Sequence, residues 1–433
     1  MPKLIVLISG LFLGISIAQP LSLAEAINQT MVNNSQIKIA DYEHLAAISD
    51  VDKMKSIYLP QVEASATGSI TNLPLHAFGT KLQQQGGIAQ TDFDPASLNE
   101  PSSISNLNTQ LMVRQPILNL DAIAMKKALV AKSSAYQQQI IRTKNVLKHH
   151  VLQAYLQLQI TYQMQGVLLQ AKKTAEANLK LANDNLEAGY LQRADVLAVE
   201  VRINEIDNQL FQTENNIQNI SDQLSFLMGS GFGQKYMPEN QLEYIDESQI
   251  LLAELPMSRS DIKAMEMQVN AQTLMVDATE KTSLPRVNAF GSYELNNNLD
   301  FGDSQHGYML GLQASWLIFN GNKNRSDVGK AKIELEKSQT QLTQMITQNK
   351  LELIVAKRKL LEAKNSIQLA EKSIEQARES LRVKTDRFAE GLEKTTEILI
   401  AETTVSQKEM EKVEAIFQYQ LAYADLLLML EQN

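Results

Sequence analysis

Four stretches of the chain alternate apolar and polar residues with a period of two, the pattern of strands that have one dry face and one wet face. In 61–71, Val62, Ala64, Ala66, Gly68 and Ile70 alternate with Gln61, Glu63, Ser65, Thr67, Ser69 and Thr71. In 106–114, Leu107, Thr109, Leu111 and Val113 alternate with Asn106, Asn108, Gln110 and Arg114. In 286–296, Val287, Ala289, Gly291, Tyr293 and Leu295 alternate with Arg286, Asn288, Ser292, Glu294 and Asn296, and Phe290 breaks the pattern. In 308–318, Tyr308, Leu310, Leu312, Ala314, Trp316 and Ile318 share one face, and Gln313 and Ser315 lie on the other. Each stretch is about ten residues long, close to the ~9–11 that cross a bilayer at a tilt. The spacing predicts two strand pairs, 61–71 with 106–114 and 286–296 with 308–318, joined by polar connections over 72–105 and 297–307. Four strands do not close a membrane barrel, and an open sheet edge cannot face lipid, so a barrel built from them must be shared by several chains.

Elsewhere the period changes to steps of three and four. In 353–388 these steps select Leu353, Ala356, Leu360, Ala363, Ile367, Ala370, Ile374, Ala377, Leu381, Lys384 and Phe388. This is a coiled-coil seam that alternates large residues with alanine, so helices can approach closely. A second seam in 196–227 runs Val196, Val199, Ile203, Ile206, Leu210, Thr213, Ile217, Ile220, Leu224 and Leu227. A third, in 147–186, includes Leu147, Val151, Ala154, Leu158, Leu168, Ala175, Leu179, Ala182 and Leu186. Helices across 120–187 and 322–388 are each about 100 Å long at 1.5 Å per residue, longer than a single globular domain accommodates.

Composition supports long helices. The 433 residues include 18 glycines and 10 prolines, about half the usual share. No proline occurs in 117–237 or 286–433, so neither stretch is interrupted. The net charge of −9 is spread along the chain without a basic stripe, which gives nucleic-acid binding no support. The absence of cysteine excludes disulfides, thiolate metal sites, cysteine nucleophiles and acylation of an N-terminal cysteine. Lys3, the apolar run 4–17 and Ser16-Ile17-Ala18 read as a secretory leader over residues 1–18, the alternative being an uncleaved anchor helix, for which the run is shorter than the ~20 residues needed. No later segment has the roughly 18 consecutive apolar residues of a membrane helix.

The order of elements repeats. Leu59-Pro60-Gln61-Val62 matches Leu284-Pro285-Arg286-Val287 at the entry to each strand pair, and Leu118-Asn119 matches Phe319-Asn320 at the exit. At an offset of 202, Leu179, Asp184, Gly189, Leu197 and Glu200 recur as Leu381, Asp386, Gly391, Leu399 and Glu402, and Asp195 stands opposite Glu397. The chain therefore divides into a first repeat (19–230, hairpin tip near 189), a connector (231–256) and a second repeat (257–433, tip near 391). Each repeat reads helix, strand, strand, long helix, glycine turn, helix.

On these residues the sequence resembles the TolC-like outer-membrane efflux proteins. The resemblance is carried by Leu21-Ser22-Leu23-Ala24-Glu25-Ala26 at the mature start, Leu59-Pro60 and Leu284-Pro285 before the strands, and Gln115-Pro116-Ile117-Leu118 after the second strand. The tips carry it too, in Ala188-Gly189-Tyr190 with Asp195-Val196-Leu197 and Glu390-Gly391-Leu392 with Glu397-Ile398-Leu399. It implies a mainly α protein with a membrane β-barrel, in which a homotrimer shares twelve strands and long helices form a periplasmic tunnel. It further implies that a periplasmic adaptor and an inner-membrane pump or ABC transporter dock at the tips. Cargo then leaves by multidrug efflux or type I secretion, with no bond chemistry and no cofactor. The competing class is a secreted helical coiled-coil protein, such as a pore-forming toxin or adhesin, which needs no duplicated strand pairs.

The hairpin tips are the candidate site. Gly189 and Gly391 sit where a long helix must stop, and together with Tyr190, Leu197, Leu392 and Leu399 they are the adaptor-docking candidates. Asp195 and Glu397 lie near the start of the returning helices, where an acid complements the helix dipole. The resemblance adds a second role for Glu397, a threefold acidic ring at the pore constriction, with Asp195 beside it. Relatives often carry a tyrosine three residues before the second glycine, an arginine two after it and an aspartate nine after it. Phe388, Glu393 and Ile400 stand there in this chain, which implies a differently latched gate with a single acidic ring. Tyr308 and Trp316 are candidates for an interfacial aromatic belt facing outer-membrane lipid, or else for packing in a sheet. Gly229-Ser230-Gly231-Phe232-Gly233 reads as a helix terminator, not a phosphate loop. The histidines at 44, 76, 149, 150 and 306 show no metal-ligand spacing, and His149-His150 reads as a solvated helix face.

Overall fold

The computed structural model describes residues 18–84, 88–244, 248–298, 305–390 and 392–431. Gly391 and, apart from Ala18, the segment expected to be a leader lie outside them. The described elements are β1 (Gln19–Leu21), α1 (Leu23–Asn33), α2 (Ser35–Lys53), β2 (Gln61–Thr71), α3 (Pro74–Gln83), α4 (Pro95–Asn99), β3 (Ile104–Leu118), α5 (Leu120–Glu187), α6 (Arg193–Met228), β4 (Tyr236–Pro238), α7 (Ser260–Lys281), β5 (Arg286–Asn297), β6 (Gln305–Ser315), α8 (Lys323–Ala389) and α9 (Thr395–Leu430). Helix, strand, strand, long helix, returning helix thus occurs twice. The compact units cut across this repetition: one comprises residues up to Tyr42 with Gln138–Lys263 and everything from Thr343 on, the other Glu43–Gln137 with Ala264–Leu342.

The second unit holds a four-stranded antiparallel sheet ordered β2-β3-β5-β6. Its register keeps one chemistry on each face. Val62 lies opposite Val113, Leu111 opposite Tyr293, and Tyr293 opposite Tyr308, while the other face sets Asn108 against Asn296 and Gln110 against Glu294. That polar face is hydrogen-bonded across β3 and β5: Asn106 and Asn108 donate to Asn296 at 2.9 and 3.0 Å, and Gln110 donates to Glu294 at 2.7 Å. Phe290, which broke the alternation, lies on the polar face, and its ring occupies the place of a Cβ at Gly311, within 2.7 Å. A side chain at 311 would have to displace that ring, which favours the glycine found there.

The strand limits differ from the sequence reading in two places. The second strand is longer, Ile104–Leu118, because β2 and β5 pair along both its sides. The fourth is Gln305–Ser315 instead of 308–318. Its partner β5 starts at Arg286, opposite Ser315, so no pairing remains for Trp316, whose indole instead donates to the Ser283 carbonyl at 2.9 Å. The connection over 72–105 is also not simply polar, since it carries α3 and α4.

The first unit is helical and packs along the predicted seams. Leu353, Ala356, Leu360, Ala363 and Ile367 of α8 are buried with Tyr419, Ala422 and Leu426 of α9. Leu147, Val151, Ala154 and Leu158 of α5 are buried with Ile217, Ile220, Leu224 and Leu227 of α6. The glycine-rich stretch does end a helix: Gly229, at φ 66°, closes α6 in the left-handed region. A short parallel pair of β1 with β4 ties Gln19–Leu21 to Tyr236–Pro238, which the sequence did not signal.

Two polar features lie inside this unit. His149 is not solvated: its ring is 8% exposed, and Nε2 lies 2.7 Å from the Asp425 carboxylate, while His150 faces outward. At the start of α7, Arg259 is 2% exposed and grips Asp261 with Nε at 3.0 Å and Nη2 at 2.6 Å, and it also donates to the Met429 carbonyl at 3.1 Å. Glu431, just beyond α9, accepts the Ser260 N–H at 2.9 Å, and Arg142 of α5 lies 3.7 Å from Asp261 and 3.8 Å from Glu431. This cluster fastens the end of α9 to the start of α7.

Candidate functional site

Both hairpin ends belong to the helical unit. The first reverses through Gly189, whose φ of 81° suits glycine and strains other residues. The N–H groups of Tyr190 and Leu191 reach back to the Asn185 carbonyl at 2.8 and 3.3 Å, satisfying the open end of α5. Asp195 accepts the Gln192 N–H at 3.1 Å and so caps its own helix, α6. Tyr190 is 82% exposed, and Leu197 is exposed behind it.

The second hairpin is latched by charge. Leu392 returns its N–H to the Arg387 carbonyl at 2.9 Å, and its side chain is exposed. Lys384 of α8 donates to Glu397 of α9 at 2.7 Å, and Arg387 pairs with Glu393 at 3.2 Å. The Lys384 hydrogen bond and charge hold the Glu397 carboxyl below its ordinary range. The two tip acids therefore differ in use, although they stand at equivalent positions: Asp195 bonds backbone, whereas Glu397 bonds a lysine across the hairpin. Lys384 was legible as the charged interruption of the 353–388 seam, but its partner was not.

The two hairpins meet close to these ends. Leu399 packs on a cluster of Ala182, Val196 and Val199 with Leu179, Leu186 and Leu191. Phe388 lines a small cavity of about 30 Å³ with Asn178, Leu181, Leu191, Thr395 and Ile398. One turn further along, Asn178 donates to Glu402 at 2.5 Å. Burial pushes the Glu402 carboxyl up, and the Asn178 hydrogen bond and the Arg202 charge only partly offset it. Glu402 escaped sequence reasoning because Glu200, its counterpart in the first repeat, is chemically identical. Glu200 pairs with Arg193 at 3.5 Å instead. Phe388, Leu399 and Glu402 thus join one hairpin to the other, and Tyr190, Leu197 and Leu392 remain on the outside.

The aromatic candidates lie in the sheet unit. Tyr308 is 78% exposed on the apolar face of β6, and Trp316 is exposed just past the end of the strand. Eight residues separate them, roughly 26 Å along an extended chain.

Comparison with known proteins agrees with this architecture. The family model for outer membrane efflux proteins matches residues 26–230 and 251–431. No curated protein sequence matches the chain. Among solved structures, CusC, whose channel formation has been described, superposes with a TM-score of 0.78 at 15% identity, covering 94% of this chain and 91% of that one. The outer membrane protein VceC of Vibrio cholerae gives 0.76 at 14% identity, covering 94% and 95%. The CmeC outer membrane channel of Campylobacter jejuni gives 0.74 at 17%, covering 94% and 85%. At these identities the likeness establishes a shared fold.

Proposed function

The chain belongs to the outer membrane efflux protein family, and from that premise we propose that three copies share one barrel in the outer membrane and pass cargo outward from a periplasmic adaptor and an inner-membrane pump. The observation that carries this reading is the sheet. Four strands keep apolar residues on one face and, apart from Phe290, polar residues on the other through a register broken only between Pro116 and Leu118, and the order β2-β3-β5-β6 leaves β2 and β6 at the edges. In lipid such edges must be paired, and pairing β6 of one copy with β2 of the next closes the ring. The apolar face then meets lipid and the polar face lines water. At the ~40° tilt of barrel strands the separation of Tyr308 and Trp316 spans roughly 20 Å of membrane depth, a little short of the apolar band of about 25 Å that aromatic belts flank. Further support comes from apolar residues that the coiled-coil seams leave exposed, such as Leu361 and Leu369 of α8 and Phe211 of α6, which neighbouring copies would cover.

In this reading the hairpin ends form the inner mouth. Tyr190, Leu197 and Leu392 are offered to the adaptor, and Glu397 stands at the constriction as half of a charge pair. The channel performs no bond chemistry, and the pump supplies the energy, whether the exported class is drugs or secreted polypeptides. Fractionation tests the proposal. A trimer recovered from outer membranes that migrates as monomer only after heating supports it, and a product confined to the soluble fraction defeats it.

A further inference from the structure

We propose that α3, in the insertion between β2 and β3, is strapped across the polar face of the sheet and sets the size of solute that can pass the outer end of the conduit. The inference rests on reading that face as the channel lumen. The two strand connections differ greatly in length. The second runs only from Asn297 to Gln305, whereas the first, residues 72–103, builds helices of its own, as long connections with a task commonly do.

The insertion holds itself together. Phe78 and Phe93 meet edge to face at 5.6 Å, and Lys81 of α3 pairs with Asp92 at 2.9 Å. Asp92 also accepts the Ala89 N–H at 2.9 Å. Gln84, directly after α3, then ties this assembly to the sheet. Its amide donates to the Ser105 carbonyl at 2.7 Å, to the Asn106 side chain at 2.9 Å and towards the Asn297 carbonyl at 3.3 Å. Asn106 belongs to the polar face, where it donates to Asn296, and both are at most 7% exposed. The end of α3 is thereby placed over the polar face, not over the apolar one. With the apolar face against lipid, each copy directs its α3 inward over the mouth, and three copies narrow it together. Gln84 is a positioning residue: it holds the element that obstructs.

The native chain has no cysteine, so a single introduced thiol reports on access without background. Gln110→Cys places one on the polar face, beyond the Gln84 tie. It is made in the otherwise native chain, with Gln84→Ala, and with Gln84→Glu, whose carboxylate faces the Ser105 and Asn297 carbonyls. Intact cells are treated from outside with a small charged methanethiosulfonate or with a bulky polyethylene-glycol maleimide. The small reagent is expected to label all three trimers at similar rates. The bulky one is expected to label both Gln84 variants about tenfold faster than the chain that keeps the tie, the scale of losing a hydrogen bond or two. Equal rates with the bulky reagent, whether fast or slow, overturn the strap while leaving the channel reading intact. If the small reagent spares Gln110→Cys but modifies Leu111→Cys on the opposite face, the lumen assignment fails and the inference falls with it.

Discussion

Asp261→Asn tests whether the buried cluster at the start of α7 holds the end of α9. The exchange nearly preserves volume, so the perturbation is one of charge. Arg259, 2% exposed, loses its bidentate carboxylate, and Arg142 loses a carboxylate 3.7 Å away. Removing one partner of a buried ion pair costs about 3–5 kcal/mol. Glu431, 3.8 Å from Arg142 and bonded to Ser260, remains as partial compensation, which places the expectation near ~3 kcal/mol. At 1.4 kcal/mol per tenfold, local opening becomes about a hundredfold more frequent. Amide hydrogen exchange in peptides covering 259–270 and 420–431 of the detergent-extracted protein reads this directly.

The control is Glu409→Gln, which breaks the exposed Arg378–Glu409 pair at 2.7 Å and should change exchange less than about fivefold. Acidity gives a second check. Burial pushes the Asp261 carboxyl up, but the Arg259 hydrogen bonds and the Arg142 and Arg259 charges outweigh it and hold the group below its ordinary 3.8. A lowered acid stabilises the fold above its unfolded value and stops doing so as the pH falls through the folded one. The native clamp therefore loosens only in strong acid, whereas Asp261→Asn is loose throughout. If Asp261→Asn accelerates exchange no more than Glu409→Gln does, the cluster does not fasten the end of α9 to α7.

Two further outcomes concern the hairpin ends. Glu397 is paired with Lys384, so if the proposed trimer sets Glu397 at its constriction, Lys384→Met should leave three unpaired carboxylates there and raise cation over anion permeability in bilayer recordings, by about threefold at ~0.1 M salt. Glu397→Gln should shift selectivity toward anions and the double variant should restore it; unchanged selectivity and divalent block in both single variants would falsify the ring. The raised Glu402 carboxyl retains its proton in the folded state at a pH where an unfolded chain has lost it, so its contribution is present at low pH and lost as the pH rises through the raised value. Glu402→Gln keeps a partner for Asn178 and should slow exchange at the tips by about threefold at neutral pH, converging on the native rate in acid. An identical difference at every pH would rule out titration as the cause.

The sequence alone determined those features that depend on periodicity. Alternation at period two needs only a sheet with two unlike faces, and it placed 61–71 and 286–296 almost to the residue. Steps of three and four located the seams because burying one stripe of a helix is a local geometric requirement, and Leu353 through Ala377 are buried as spaced. Glycine at a helix end has a local cause as well, the positive φ seen at Gly189 and Gly229. Tertiary structure decided everything that depends on a distant partner. Strand ends followed the neighbour's reach, so β6 stopped opposite Arg286 and released Trp316. His149 looked solvated until Asp425, distant in sequence, was brought beside it. Asp195 and Glu397, equivalent in the repeat, took different bonds because only the second hairpin has a lysine across from its acid. The repeat pattern specifies which faces are buried, while the pairing of charges depends on which side chains those faces bring within about 3 Å of one another.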